Sequence, residues 1–298
     1  MWLGRCLTAL FDRRYDLTVG TLNLPGFRCH FRIEKTLKPE PNKGLVEVYN
    51  LSSDHRGALS QLAPGKRAGK KPARKVVSNA ALGSIPVRLE AGYKDPGPEL
   101  IFLGNLRTVD SERQGADWIT TIASGDGERA FRTARINQTF GPRTPPDVAL
   151  RALVRSLGIG DGNLAQVVHD LKFSGTATLL ARGLVLSGPT SRMMTDFCRS
   201  ANLEWSVQDG GLQFVDLNTA LSQKAVVLSS GTGMIESPTV DGAGVLKVRT
   251  LMIPGLKCGA LVVCQGVNVQ GNYRVEKITY EGDTHGHDWG CEIEAKRY

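Results

Sequence analysis

Between residues 27 and 36 the chain reads FRCHFRIEKT, in which Phe27, Cys29, Phe31 and Ile33 alternate with Arg28, His30, Arg32 and Glu34. Successive side chains of a strand point to opposite faces, so a period of two describes a strand with one face buried and one wet. The pattern then breaks at KPEPNKG, a turn, and resumes in LVEVYNL with Val46 and Val48 inward. Ser52 is placed to cap a short helix from 53 to 62, which Pro64 and Gly65 end. The first unit is therefore strand, turn, strand, helix.

The same signal recurs along the chain. IPVRLEAGY (85 to 93), ELIFLGNLRTVDSER (99 to 113) and ADWITTIASGD (116 to 126) are three strands joined by the turns DPGP and RQG. Short turns make them an antiparallel meander, and with the first two strands they form a β-barrel or sandwich closing near Phe140. Six further strands are expected in the last third: AVVLSS (225 to 230), MIESPTV (234 to 240), GVLKVRTLM (244 to 252), ALVVCQG (260 to 266), NYRVEKITYEG (272 to 282) and DWGCEIEAKR (288 to 297). The centre differs. Prolines 145 and 146 open a helix, with Thr144 as its expected cap. Leu150, Leu153, Val154 and Leu157 share one face, and Gly158 stops it. A second helix runs from about 191 to 201, followed by a hairpin, LEWSV and LQFVD, turned by Asp209-Gly210. The fold class expected is mainly β with a smaller α+β part. Its domains run from 1 to 141 (β), 142 to 222 (α+β) and 223 to 298 (β).

Composition limits the function. The 298 residues can bury one large core or two to three ordinary ones, and 34 glycines exceed what a helical protein of this size carries. Apolar runs such as 184 to 186 and 260 to 264 fall far below the ~20 residues of a membrane-spanning helix. The opening MWLGRCLTALFDRR lacks a small-residue cleavage site, so folding in a cytoplasm without a membrane anchor is the expectation. Six scattered cysteines without a C-x-x-C pair read as free, mostly buried thiols. The net charge of +8 is concentrated: GKRAGKKPARK (65 to 75) holds six basic residues and leaves +2 for the rest. Lys66, Arg67, Lys70, Lys71, Arg74 and Lys75 form the candidate contact loop for an acidic partner surface, with a solvated loop as the plainer reading. Nucleic-acid binding rests on this loop alone, and the loop lacks the aromatics that stack on bases.

Near the C-terminus, EGDTHGHDWGCEIEA (281 to 295) concentrates metal-type ligands. Strand geometry accounts for most of them. Trp289, Cys291, Ile293 and Ala295 alternate with Glu292 and Glu294, so Cys291 faces inward and both glutamates are the wet face. What remains, GDTHGH, is rich in turn residues. His285 and His287 could take part in a zinc site only with a third ligand that no H-E-x-x-H or paired C-x-x-C supplies. A G-x-S-x-G elbow and a Walker loop are missing, and GIGDG (158 to 162) follows a helix where a dinucleotide loop must follow a strand. His30, His55 and His169 stand in unrelated contexts, and Glu99, Asp110, Glu204 and Asp216 are undistinguished carboxylates for a glycoside-hydrolase pair. No catalytic residue, metal site or cofactor site is expected.

Three stretches in order carry a resemblance: NKGLVEVYNLS at 42 to 52, AGYKDPGPELIFLG at 91 to 104 and YRVEKITYEGDTHGHDW at 273 to 289. With their flanks they resemble the baseplate (tail) hub proteins of tailed bacteriophages, related to the hubs of contractile injection systems. The resemblance implies a structural protein of the virion tail, assembled in the host bacterial cytoplasm. It implies a homotrimer in which each copy gives two tube-like β domains to a pseudo-sixfold ring. The implied partners are the tail tube or distal tail protein, the central spike protein, the tape measure protein and the baseplate wedge proteins. The basic loop departs from the family pattern. A cell-wall hydrolase and a nucleic-acid-binding protein are the competing readings.

Overall fold

A computed structural model describes residues 12–63, 85–173, 182–221 and 224–298. The basic loop with Lys66, Arg67, Lys70, Lys71, Arg74 and Lys75, and also Cys6, lie outside the described residues.

The N-terminal unit contains β1 (Arg13–Val19), β2 (Leu22–Asn23), β3 (Cys29–Thr36), β4 (Lys43–Tyr49), α1 (Ser53–Leu62), β5 (Pro86–Tyr93), β6 (Gly97–Gln114) and β7 (Asp117–Gly125). The expected cap on α1 is present: the Ser52 hydroxyl accepts from the His55 N–H at 3.2 Å. In β3 the alternation buries Cys29, Phe31 and Ile33, and it also turns Lys35 inward. β1 was not anticipated, although Leu17 and Val19 carry the same inward period.

The centre holds α2 (Glu128–Thr133), β8 (Arg135–Phe140), α3 (Pro146–Leu157), α4 (Leu164–Phe173), β9 (Leu184–Pro189), α5 (Thr190–Ser200), β10 (Leu203–Gln208) and β11 (Gly211–Asp216). The two helices and the hairpin stand where the sequence put them. Gly158 ends α3 in the left-handed region at φ 65°. Asp209 and Gly210, at φ 52° and 79°, form the turn between β10 and β11. Thr144 is not the cap of α3: Pro145 occupies that position, and the Thr144 hydroxyl donates to the Gly141 carbonyl at 2.8 Å. This unit has its own apolar cluster, with Leu150, Leu153, Met194, Phe197, Trp205 and Phe214 buried. The Phe131 ring stacks on Trp205 at 5.3 Å.

The C-terminal unit comprises β12 (Val226–Leu228), β13 (Thr239–Val240), β14 (Val245–Leu251), β15 (Leu261–Gln265), β16 (Gln270–Asp283) and β17 (Trp289–Arg297). MIESPTV shrinks to the two residues of β13 plus one bridge at Met234, because Pro238 has no N–H for a ladder.

Strands of both ends enter one sheet of thirteen, ordered β13-β14-β17-β16-β3-β4-β7-β6-β5-β1-β2, with β15 on β16 and β12 on β15. The two β units meet where β3 pairs antiparallel with β16, from Thr36 opposite Lys277 to His30 opposite Asp283. Along that same strand β15 takes Gln270 to Arg274, and a register shift between Val275 and Lys277 separates the stretches. The sheet also folds back on itself. The Arg13 guanidinium on β1 donates to the carbonyls of Asp283 (2.9 Å), Gly286 (2.6 Å) and His287 (3.1 Å), and the Met252 N–H donates to the Tyr93 hydroxyl at 3.2 Å. One apolar cluster accordingly draws on both ends, from Leu17, Phe31 and Phe102 to Val262, Tyr280 and Ile293.

Candidate functional site

The chemistry of this chain is concentrated where the α+β unit meets the sheet. Lys35 stands at an inward position of β3 with 3% exposure, so its ammonium must find a partner inside. It does: Nζ lies 2.6 and 2.8 Å from the two Asp209 carboxylate oxygens and donates to the Ile101 carbonyl at 3.2 Å. Asp209 is available because the tight turn of β10–β11 delivers it, and its carboxylate also accepts from the Leu103 N–H at 3.3 Å. Beside it, both carboxylate oxygens of Asp126 lie 3.2 Å from the Gly210 N–H. Burial pushes the Asp126 carboxyl up to about 7, against the pull of the Gly210 N–H and Lys35.

Around this core the neighbouring polar groups are paired across the same seam. The Asn42 amide donates to the Val207 carbonyl at 2.6 Å and accepts from the Thr36 N–H at 2.9 Å, while Gln208 donates to the Thr36 carbonyl at 2.8 Å. At the other end of the hairpin, Arg274 of β16 is 7% exposed. It bonds Glu204 and Glu276 at 2.8 Å each, and donates to the carbonyls of Asp216 (3.2 Å), Leu217 (3.1 Å) and Thr219 (3.3 Å). Burial raises the Glu204 carboxyl above its ordinary range even though Arg274 opposes that shift. Two buried cations, one from each β unit, thus clamp opposite ends of a single hairpin. Such a joint fixes orientation more than it adds stability, since desolvating the ions costs much of what pairing returns.

Of the GDTHGH stretch, Thr284 to His287 lie in the loop between β16 and β17, while Gly282 and Asp283 end β16, paired with Phe31 and His30 of β3. Asp283 accepts from the His285 N–H at 2.8 Å and from Arg28 at 3.1 Å. Burial alone would raise this carboxyl, but the N–H groups of His285 and Gly286 and the Arg28 guanidinium outweigh it and hold it below the usual range. Cys291 is buried, 3.2 Å from the Thr250 hydroxyl. Cys29, Cys198, Cys258 and Cys264 are likewise free and buried. Burial pushes the Cys291 thiol up to about 11 and the thiols of Cys29 and Cys258 up to about 12.

The other residues the sequence singled out are dispersed. His30 lies 3.2 Å from Glu47, His55 3.1 Å from the Ser52 hydroxyl, and His169 is on α4. Glu204 is held by Arg274, and Asp216 accepts from the Asn218 N–H at 2.8 Å. Glu99 and Asp110 lie on β6. Among the described residues no group of three or more His, Cys, Asp or Glu is placed to hold a metal ion, and no helix is long and apolar enough to cross a membrane. Sequence reasoning missed Lys35, Asp126 and Arg274. Lys35 did leave a signal, a lysine on the inward phase of a strand.

The chain is thus mainly β, one large antiparallel sheet with a buried polar joint to an α+β unit. The fold is that of the 43 kDa tail protein of prophage MuSo2 from Shewanella oneidensis, with a TM-score of 0.62 at 11% identity over 96% of this chain and 98% of that one. The tail protein from Neisseria meningitidis MC58 gives 0.62 at 8% identity over 96% and 97%. The Escherichia coli c3393 protein, a component of the type VI secretion system, gives 0.52 at 9% identity over 95% and 76%. No curated protein matches the chain. The family model for baseplate hub gp41 matches residues 19–295, and the chain belongs to that family.

Proposed function

We propose that this chain is a non-enzymatic hub of a bacteriophage baseplate. Three copies close into a ring whose six β units join a hexameric tail tube, or distal tail protein, to a trimeric central spike. The observation that carries the reading is the way the two β units are built and joined. Each contains one long strand shared between neighbours and carrying a register shift: β6, of 18 residues, pairs with β5 up to Asn105 and with β7 from there on, with its shift between Leu106 and Thr108, and β16, of 14 residues, passes from β15 to β3 across its shift between Val275 and Lys277. The two units then pair edge to edge through β3 and β16. A repeat of such edge contacts from copy to copy lets a threefold assembly offer six near-equivalent positions, and closure leaves no sheet edge bare.

In this reading residues 1 to 141 and 223 to 298 carry the tube-like domains, and 142 to 222, on whose apolar cluster α2 and β8 of the first stretch pack, are an accessory α+β domain that the Lys35–Asp209 and Arg274–Glu204 joints hold in place. The protein assembles in the bacterial cytoplasm and ends in the virion tail. The tape measure and wedge proteins are further neighbours, and the six basic residues from Lys66 to Lys75 are the contact offered to an acidic partner face. Native mass measurement, alone and with tube and spike proteins added, tests the proposal. A trimer is expected, and a chain that stays monomeric and joins neither partner contradicts it.

A further inference from the structure

The α+β unit carries a strand edge with the features of a peptide-binding site. β8 pairs with β9 alone among the described residues, in the register Arg135 opposite Pro189 through Phe140 opposite Leu184. Pro189 has no N–H, so Arg135 and Pro189 cannot exchange the two bonds of a hydrogen-bonded pair. The bonded pairs are therefore those of Ile136, Gln138 and Phe140, and the N–H and C=O groups of Asn137 and Thr139 point away from β9. The Ser156 hydroxyl of α3 donates to the Arg135 carbonyl at 3.0 Å, which sets the direction of that edge: it faces α3.

Between the edge and the helix lies an open groove of about 440 Å³, lined on the helix side by Val148, Ala152 and Arg155 and on the strand side by Phe140 and Arg135. Val148 is 42% exposed, although α3 already buries Leu150, Leu153, Val154 and Leu157 on its other face. The helix thus keeps Val148 outside the core, beside Ala152, which is half-buried against the α+β cluster. Arg135 and Arg155 give the groove its charge, and neither forms an ion pair among the described residues. Among the described residues the guanidinium of Arg135 donates to backbone carbonyls, those of Arg132 and Ala134.

We propose that this edge takes up an extended acidic segment of another polypeptide as an added strand. Its apolar side chains lie over Val148 and Ala152, and its carboxylates meet Arg135 and Arg155. Main-chain bonds to Asn137 and Thr139 give affinity, and Val148, Ala152 and the two cations select the sequence. The stretches 1–11, 64–84, 174–181 and 222–223 contain no aspartate or glutamate. The inference stands on the α+β unit and does not depend on the ring.

The test is fluorescence anisotropy on the full chain with a short labelled peptide of alternating valine and threonine ending in two glutamates. Saturable binding is expected. It should weaken at least about tenfold in the Arg135→Glu, Arg155→Glu double variant, the loss of one or two charge-assisted contacts. Thr139→Pro, which deletes one outward N–H, should weaken it comparably with the melting temperature unchanged. Amide hydrogen exchange on the unaltered protein reads the same site without any variant: the Asn137 and Thr139 amides should gain protection when peptide is added. Absence of saturable binding, binding that survives both variants, no added protection, or equal competition by a single-stranded oligonucleotide would overturn the proposal.

Discussion

Lys35 illustrates how one residue can break a local rule and be answered by a distant one. The period of β3 assigns it to the core, and only the Asp209 carboxylate, 174 positions away, makes that tolerable. Lys35→Met keeps an apolar stem but strands the Asp209 carboxylate in the seam. Urea unfolding should show a loss of about 3 kcal/mol, the range for breaking a buried pair from one side. Asp126 behaves differently because its neutral form suits its site. A carboxyl raised from 3.8 to about 7 contributes stability that is complete below about pH 4 and fades as the pH rises through 7. Asp126→Asn, which keeps an oxygen for the Gly210 N–H, should flatten that decline. Melting curves from pH 4 to 8 compare the two, and an unchanged slope would show that Asp126 is charged throughout. The reactive-looking residues are the opposite case. His285, His287 and Cys291 drew notice through their chemistry, but the loop and the strand phase account for all three.

At the scale of the element, glycine placement decides where aromatic rings can lie. Gly282 of β16 sits opposite Phe31 of β3, and a Cβ there would come 2.4 Å from the ring. That ring is wedged against Trp289 at 5.5 Å and cannot yield cheaply. Gly282→Ala should cost about 2 kcal/mol in denaturant midpoints by overpacking the joint between the units. Gly57, inside α1 with open space where its side chain would be, predicts the reverse: Gly57→Ala should gain about 0.5–1 kcal/mol. Elements with a strong period were legible from sequence: β3 to β7, the hairpin β10–β11 and β14 to β17 all stand within a few residues of expectation. β8 was not, because RINQTF carries only two apolar residues and lies in a two-stranded sheet that never needed a continuous wet-dry alternation. β13 failed for the opposite reason, since MIESPTV reads as a strand until Pro238 removes the ladder donor.

In the whole molecule the decisive contacts join residues far apart in sequence, which no local pattern announces. Composition and period were sufficient to expect a mainly β chain with a smaller helical part, and the resemblance supplied the family. The pairing of β3 with β16, the fold-back through Arg13 and the clamp on the β10–β11 hairpin all required the folded chain. These contacts make the two ends a single sheet, and that continuity underlies the proposed ring. Reconstruction of the intact tail at side-chain resolution tests it most directly. The account predicts three copies beneath the tube, each giving two β units to a sixfold rim, with β3 and β16 paired inside every copy. Six copies giving one unit each, or a copy whose two β units lie apart, would contradict it.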